Sequence, residues 1–307
     1  MKIDIGQPYS FMQLGQRSNQ EDARYPDSDI LGEGQRFFLV CDGVGGNEGG
    51  EIASNTVCRT FGKILSRTDF ASSELTNDLF SSALDAAYTA LDEVAGKKNK
   101  DMATTMAFVC LHSGGCTIAH IGDSRIYHIR PGFGILYRSD DHSLVNSMVH
   151  SGMITPEEAI NHPQNNVITR NMGPTSEDEN RCMATKINTT DISAGDYLFI
   201  CTDGVLHCLT DEDIVDICNK SVGDHEKILE MAERCSVSSD NNTAMLIPIT
   251  AVYGKSDETY CETQGKTTRI LADETMTTKE IASIRKKYKQ GKILRYLKKL
   301  LKLKMSS

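Results

Sequence analysis

Four aspartates in this 307-residue chain occupy the same kind of station. Asp42-Gly43 follows the apolar run "FFLVC", Asp203-Gly204 follows "YLFICT", Asp123 sits in the Gly-Asp turn of "IAHIGDSR", and Asp240 stands just ahead of a fourth run in "SSDNNTAMLI". A carboxylate at a strand terminus points its oxygens out of the end of a sheet while the apolar strand behind it anchors the backbone, which is how a rigid scaffold presents a metal ligand. A glycine after it lets the backbone carbonyl approach an ion. One Asp-Gly after a strand is an ordinary turn. Four of them, joined by Glu21, Asp22 and Arg17 in "GQRSNQEDARY", make a set of carboxylates that would repel unless cations neutralised them. Oxygen donors with no His or Cys pair beside them select Mg²⁺ or Mn²⁺ over Zn²⁺, and a two-ion centre is expected.

The elements that must hold these acids are legible as patterns. "FFLVCDG", "TTMAFVCLH", "CTIAHIGDSRIYHIR", "DYLFICTDG" and "TAMLIPI" read as strands bounded by turn residues. Ile52 to Leu65 and Leu75 to Val94 carry apolar residues at three- and four-residue spacing and read as helices. Strands do not alternate one for one with helices, so a sheet sandwich with covering helices is expected rather than a parallel wheel. No internal repeat is evident.

Composition sets the surroundings. At 39% hydrophobic and 24% charged residues the chain suits a globular protein. The N-terminus has no apolar stretch of signal-peptide length, and no run approaches the roughly 20 apolar residues of a spanning helix, so a cytoplasmic protein is expected. None of the ten cysteines forms a C-x-x-C pair and several lie inside strand-like runs, which predicts reduced, buried thiols. Residues 279–307 hold eleven Lys or Arg against one Glu, net +10; the remaining 22 basic and 41 acidic residues leave −19 on residues 1–278. An acidic body without a basic patch argues against nucleic acid as the main ligand and suits a protein that concentrates cations.

Taken in order, "RSNQEDA" (17–23), "VCDGVGGNEGGEIAS" (40–54), "MATTMA" (102–107), "IAHIGDSRIYHIR" (118–130), 140–173, "LFICTDGVLHCLTDEDI" (198–214) and "SSDNNT" (238–243) resemble the motifs of metal-dependent serine/threonine protein phosphatases of the PP2C (PPM) type, in particular the bacterial members. The resemblance covers nearly all of residues 10–249. It implies an α+β fold, a sandwich of two antiparallel β-sheets flanked by α-helices (αββα), with the metal centre at one end. By motif, Asp42 resembles the acid that bridges two ions, Gly43 gives its carbonyl to one, Asp203 and Asp240 hold the other, and Asp123 resembles the ligand of a weaker third ion. Glu21 and Asp22 resemble groups that hold metal-bound waters, and Arg17 the phosphate clamp. The implied reaction is hydrolysis of phosphoserine and phosphothreonine by direct attack of a metal-activated water, with two or three Mn²⁺ or Mg²⁺ ions and no covalent phosphoenzyme. The implied partners are phosphorylated Ser/Thr proteins, a cognate Ser/Thr kinase or its substrates.

Three positions depart from the family pattern. His207 stands where a second aspartate near the third ion is common, and imidazole there should weaken Mg²⁺; a plain turn-capping role for it is the alternative. Val44 replaces the histidine of eukaryotic members, and Ala103 replaces a glycine. The domain organisation expected is a phosphatase domain over 1–250 with a flap subdomain at 140–173, a polar linker over 251–278 and a basic amphipathic helical tail over 279–307. In that tail Ile293, Leu294, Leu297, Leu300 and Leu301 fall on one side of a helix and Lys292, Arg295, Lys298, Lys299 and Lys302 on the other. The pattern fits a peripheral anchor on an anionic membrane, at its inner face, with an acidic partner's groove or the chain's own acidic body as alternatives. Two rival functions use the same residues: a binding module of this fold with weak catalysis, and a hydrolase of another phosphoester.

Overall fold

A computed structural model of the chain describes residues 1–254 except 33, 46–48, 97–100, 161 and 176–180. The expected linker lies outside the described residues from position 255 on, as does the whole cationic segment 279–307 with the membrane or partner surface expected for it. In chain order the described elements are β1 (Lys2–Ile5), β2 (Tyr9–Gln13), β3 (Ala23–Tyr25), β4 (Phe37–Cys41), β5 (Gly43–Val44), α1 (Gly49–Leu65), α2 (Asn77–Ala95), β6 (Ala103–Thr104), β7 (Met106–His112), β8 (Gly115–Ile121), β9 (Arg125–Arg130) and β10 (Gly134–Arg138). There follow α3 (Leu144–His150), α4 (Pro156–Ile160), β11 (Thr185–Thr189), β12 (Tyr197–Cys201), α5 (Asp203–Leu206), α6 (Asp211–Asn219), α7 (Asp224–Cys235) and β13 (Asn242–Tyr253).

β4, β7, β8 and β12 are buried along their whole length, as strands covered on both faces must be. One sheet runs β11-β8-β7-β4-β3; the other runs β1-β13-β12-β9-β10, with β2 also paired to β13, and the pairings are antiparallel. The two-residue period of a strand sorts β4 between two apolar layers. Phe38 and Val40 join Val109, Leu198, Met245 and Ile247 between the sheets. Leu39 and Cys41 turn the other way, onto Phe61 of α1 and Leu91 of α2. A third layer packs Tyr127 and Phe199 against Ile214 of α6 and Met231 of α7. Burying each such large side chain stabilises the fold by about 1.5–3 kcal/mol. The result is the expected αββα sandwich. The nine described cysteines are free thiols, seven of them buried, in keeping with the reduced reading.

Strand register brings the acids together. Cys201 of β12 lies opposite both Arg125 of β9 and Ala244 of β13. Continuing past that row, the chains reach Asp203, Asp123 and, through Asn242, Asp240 at one end of the sandwich. In the other sheet Cys41 pairs with Ala23, so Asp42 leaves β4 where Asp22 enters β3. Asp203 follows the end of β12 as expected, and it is there the first residue of the one-turn helix α5, whose N-cap is Thr202. The 140–173 segment holds α3 and α4; α4 starts with a reciprocal cap in which Thr155 Oγ1 accepts from Glu158 N at 3.2 Å and Glu158 Oε2 accepts from Thr155 N at 2.7 Å. Among the described residues no helix is long and apolar enough to cross a membrane.

Candidate metal centre

Asp42 is fixed through its backbone by the two threonines of the "MATTMA" stretch. Its N–H donates to Thr105 Oγ1 at 2.9 Å, while its carbonyl accepts from Thr104 Oγ1 at 2.9 Å and Thr105 N at 2.8 Å. Thr105 Oγ1 also bonds Ser124 Oγ at 2.7 Å, so one hydroxyl couples the Asp42 loop to the Asp123 turn. Gly43 must lack a side chain, because a Cβ there would lie 2.2 Å from the Gly50 carbonyl oxygen and 2.5 Å from that of Glu21. That close approach seats the N-terminal turn of α1 on the loop.

Asp203 and Asp240 are brought together by a second glycine. A Cβ on Gly204 would sit 2.0 Å from the Asn241 carbonyl oxygen, so only glycine lets the α5 turn rest on the strand entering β13. Asn241 then ties in the first loop: its Oδ1 accepts from Glu21 N at 2.8 Å and its Nδ2 donates to Leu14 O at 2.8 Å. The Glu21 carbonyl is further held by Ser54 Oγ at 2.6 Å and Gly43 N at 3.1 Å. Asp240 Oδ1 accepts from Asn241 N at 2.9 Å, and its Oδ2 takes the Arg17 guanidinium at 2.7 Å. The Arg17 side chain stays 54% exposed, so the guanidinium that reaches the acids also faces solvent.

Asp22 is the most enclosed member. Its Oδ2 accepts from Thr243 Oγ1 at 2.7 Å and Thr202 Oγ1 at 3.0 Å, and its Oδ1 has no hydrogen-bond partner. Burial first, with Asp203 and Asp240 adding to it against the two threonine bonds, pushes its carboxyl up to about 7. Asp123 is likewise pushed up to about 7 by burial, then by Asp203 and Asp141, and its Oδ1 is also unpartnered. Asp42 is raised well above the carboxylate range by burial and by the neighbouring carboxyls of Asp22, Asp203 and Asp123. Glu21 is raised by burial, with Arg17 opposing.

These observations fit divalent cations. Buried carboxyls whose neighbours are other carboxyls, two of them with an orphaned oxygen, are held at a cost that a hard cation would offset. The donors are all oxygen: the Cys41 thiol beside Asp42 is turned into the core, where burial and Cys58 push its pKa up. Among the described residues no three His, Cys, Asp or Glu side chains close on one point as an ion cage. An ion here would complete its shell with carbonyl oxygen and water, which suits Mg²⁺, an ion reluctant to lose its waters.

The fold thus gathers Arg17, Glu21, Asp22, Asp42, Gly43, Asp123, Asp203 and Asp240 around one end of the sandwich. His207 is exposed, and its backbone N–H caps α5 by donating to Asp203 O at 3.2 Å. Val44 is 43% exposed and brings no titratable group to its position. Sequence reasoning missed Thr104, Thr105, Ser124, Thr202, Thr243 and Asn241. For Ser124, Thr202, Asn241 and Thr243 the signal was a hydroxyl or amide within three residues of Asp123, Asp203 or Asp240, whereas Thr104 and Thr105 stand far along the chain from the Asp42 that they hold. The rim is closed by 140–173: His142 N donates to Gly122 O at 2.9 Å and Gly122 N to His142 Nδ1 at 3.1 Å, while Thr104 and Met172 exchange two backbone bonds of 2.8 Å.

A family model described as protein phosphatase 2C matches residues 15–243. A putative protein phosphatase 2C-type protein of Streptococcus pyogenes is 34% identical over 250 residues, which span 80% of this chain and 95% of that protein. The solved serine/threonine phosphatase of S. agalactiae matches with a TM-score of 0.67 and 28% identity over 79% of this chain and 98% of its own. The catalytic domain of the phosphatase PstP, solved in complex with 2 manganese ions, shares the fold at a TM-score of 0.64 and 23% identity over 81% of this chain and 100% of its own.

Proposed function

The chain belongs to the protein phosphatase 2C family, and on that premise we propose which of its residues carry the reaction. It is a metal-dependent serine/threonine protein phosphatase that uses Mn²⁺ or Mg²⁺ and acts on phosphorylated proteins. Asp42, the Gly43 carbonyl, Asp203, Asp240 and Asp123 would hold the divalent ions, and Glu21 and Asp22 would hold the ions' waters. The observation that carries this assignment is the meeting of buried Asp22 and Asp123 with half-buried Asp42 and Asp203, with no cationic side chain bonded to Asp22, Asp42 or Asp123 among the described residues.

Bound divalent ions supply positive charge at the phosphoryl group and make water nucleophilic near neutral pH. The chain's own work is positional. Thr104 and Thr105 hold the Asp42 backbone, Gly204 and Asn241 set the spacing of Asp203 and Asp240, and Thr202 and Thr243 keep Asp22 oriented. Arg17, anchored through one NH₂ on Asp240, presents the rest of its planar fork to solvent, a geometry suited to two phosphoryl oxygens at once. With valine at position 44, no side chain there can donate a proton to the leaving seryl or threonyl oxygen.

The phosphoproteins proposed are a cognate Ser/Thr kinase or that kinase's substrates. The cationic segment 279–307 is proposed to dock on an acidic protein surface, with an anionic membrane as the rival destination. The assignment is tested with p-nitrophenyl phosphate and a phosphothreonine peptide, each with and without Mn²⁺, for the wild type, Asp42→Asn and Asp203→Asn. Mn²⁺-dependent turnover of both substrates, lost in both variants with the fold retained, is expected. Near-normal rates in either variant would sink the ligand assignment. Peptide binding without turnover would mark a binding module, and turnover of the small ester alone a different phosphoester hydrolase.

A further inference from the structure

The outer face of the six-stranded sheet carries a feature the phosphatase reaction does not use. Between β2 and α7 runs a cleft of about 410 Å³ lined chiefly by Phe11, Met12, Ile30, Ile228, Leu229 and Ala232. Ile30 and Leu229 are 65% and 53% exposed, unusual for large aliphatic side chains that face one another across a cleft. One acid, Asp29, lines the cleft, and two more stand beside it on the exposed side of α7. Glu226 and Glu233, both exposed, are two turns apart on α7 and flank Leu229 on the solvent side. Asp29, on the opposite lip, is exposed with its Oδ1 2.7 Å from Arg24.

We propose that this cleft is the intramolecular docking site of the cationic segment 279–307, with Ile293, Leu294, Leu297, Leu300 and Leu301 facing the apolar floor and the flanking lysines facing Glu226, Glu233 and Asp29. Three observations favour this occupant over any other. Charge is complementary, +10 on the segment against −19 on the rest of the chain. Length matches: on a helix Ile293 to Leu301 spans about 12 Å, and the floor from His225 to Ala232 of α7 spans about 10 Å, at 1.5 Å per residue. The tether reaches. β2 pairs with Asn242–Leu246, and β13 ends at Tyr253, so the chain leaves the sheet roughly 25 Å beyond the cleft at about 3.3 Å per strand residue. The stretch from Gly254 to Ile293 can extend several times that distance, at about 3.3–3.6 Å per residue. An amphipathic segment in a hydrophobic groove is a recurrent mode of recognition, and tethering makes the encounter intramolecular.

The test places the photo-crosslinking residue p-benzoylphenylalanine at position 229 of the full chain, where exposure makes the substitution tolerable. Irradiation in solution should give a monomeric product whose digest joins the α7 peptide to peptides from 292–302. Leu297→Asp with Leu301→Asp should cut the yield at least tenfold, and so should Glu226→Lys with Glu233→Lys. The folded state of each variant is checked by its Mn²⁺-dependent phosphatase rate. Cross-links to no part of 279–307, cross-links only between two chains, or yields unchanged by the tail variants would each overturn the proposal. Sedimentation of the full chain with phosphatidylglycerol vesicles in the absence of any such cross-link would assign the segment to a membrane surface instead.

Discussion

Replacing Asp123 by asparagine should make the metal-free protein more stable while harming the enzyme. The carboxyl is buried and pushed up to about 7 from 3.8 by burial and by Asp203 and Asp141. Below pH 3.8 it is protonated in both folded and unfolded chains, and no penalty arises. As pH rises toward 7 the unfolded chain ionises first, so stability falls through that window and the full cost is present above it. A shift of about three units corresponds to about 4 kcal/mol at about 1.36 kcal/mol per unit. Asparagine removes the charge but leaves the orphaned Oδ1 in place, so about half of this, about 2 kcal/mol, should be recovered. For a domain of this size that is a rise of about 4–8 °C in Tm. Calorimetry in excess chelator at pH 8 should show it, the gain should shrink to a degree or two near pH 4.5, and saturating Mn²⁺ should narrow it by giving the wild-type carboxylate a counter-charge. A variant no more stable than wild type in chelator at pH 8, or equally stabilised at both pH values, would refute the account of an uncompensated carboxyl cluster.

Other perturbations probe separate parts of the machinery. Arg17→Ala should raise KM for a phosphothreonine peptide more than it lowers kcat; steady-state kinetics showing the reverse would place Arg17 in the transition state. Gly204→Ala forces a Cβ against the Asn241 carbonyl and should cost about 1–3 kcal/mol while weakening Mn²⁺ binding, which titration calorimetry can read; unchanged affinity would mean that the Asp203–Asp240 spacing is not set there. At the buried cluster of Asp196, His128 and Arg130, burial alone would raise the Asp196 pKa, but the bonds from Arg130 at 2.7 Å and His128 at 2.8 Å outweigh it and hold it below the usual value. That stability is present above the unfolded carboxylate pKa and lost as pH falls through the lower folded one. Asp196→Asn should therefore cost about 3 kcal/mol at pH 7, and urea titrations of the two proteins should converge in strong acid.

The sequence by itself determined the strands, the flanking helices and the stations of the acids, because these rest on local properties: apolar runs closed by Asp-Gly, and periodicity in α1 and α2. It also determined the family, since seven motifs in fixed order constrain far more than one. The charge asymmetry between body and tail was legible for the same reason, as a plain count. What only the tertiary structure decided is which side chains meet. Thr202 and Thr243 are distant in sequence from Asp22, yet both bond its Oδ2, and no pattern along the chain encodes that convergence. Gly204 reads as a turn glycine in the sequence, whereas its physical necessity is the Asn241 carbonyl at the place of its missing Cβ. The cleft between β2 and α7 belongs to neither element alone. It exists because β2 pairs with β13 beside a helix placed by its own buried residues, Ile228, Met231 and Cys235. Local sequence sets backbone preference through near-neighbour sterics and burial pattern, but contacts across hundreds of residues arise only when the sheets close on one another and the register of each strand is fixed.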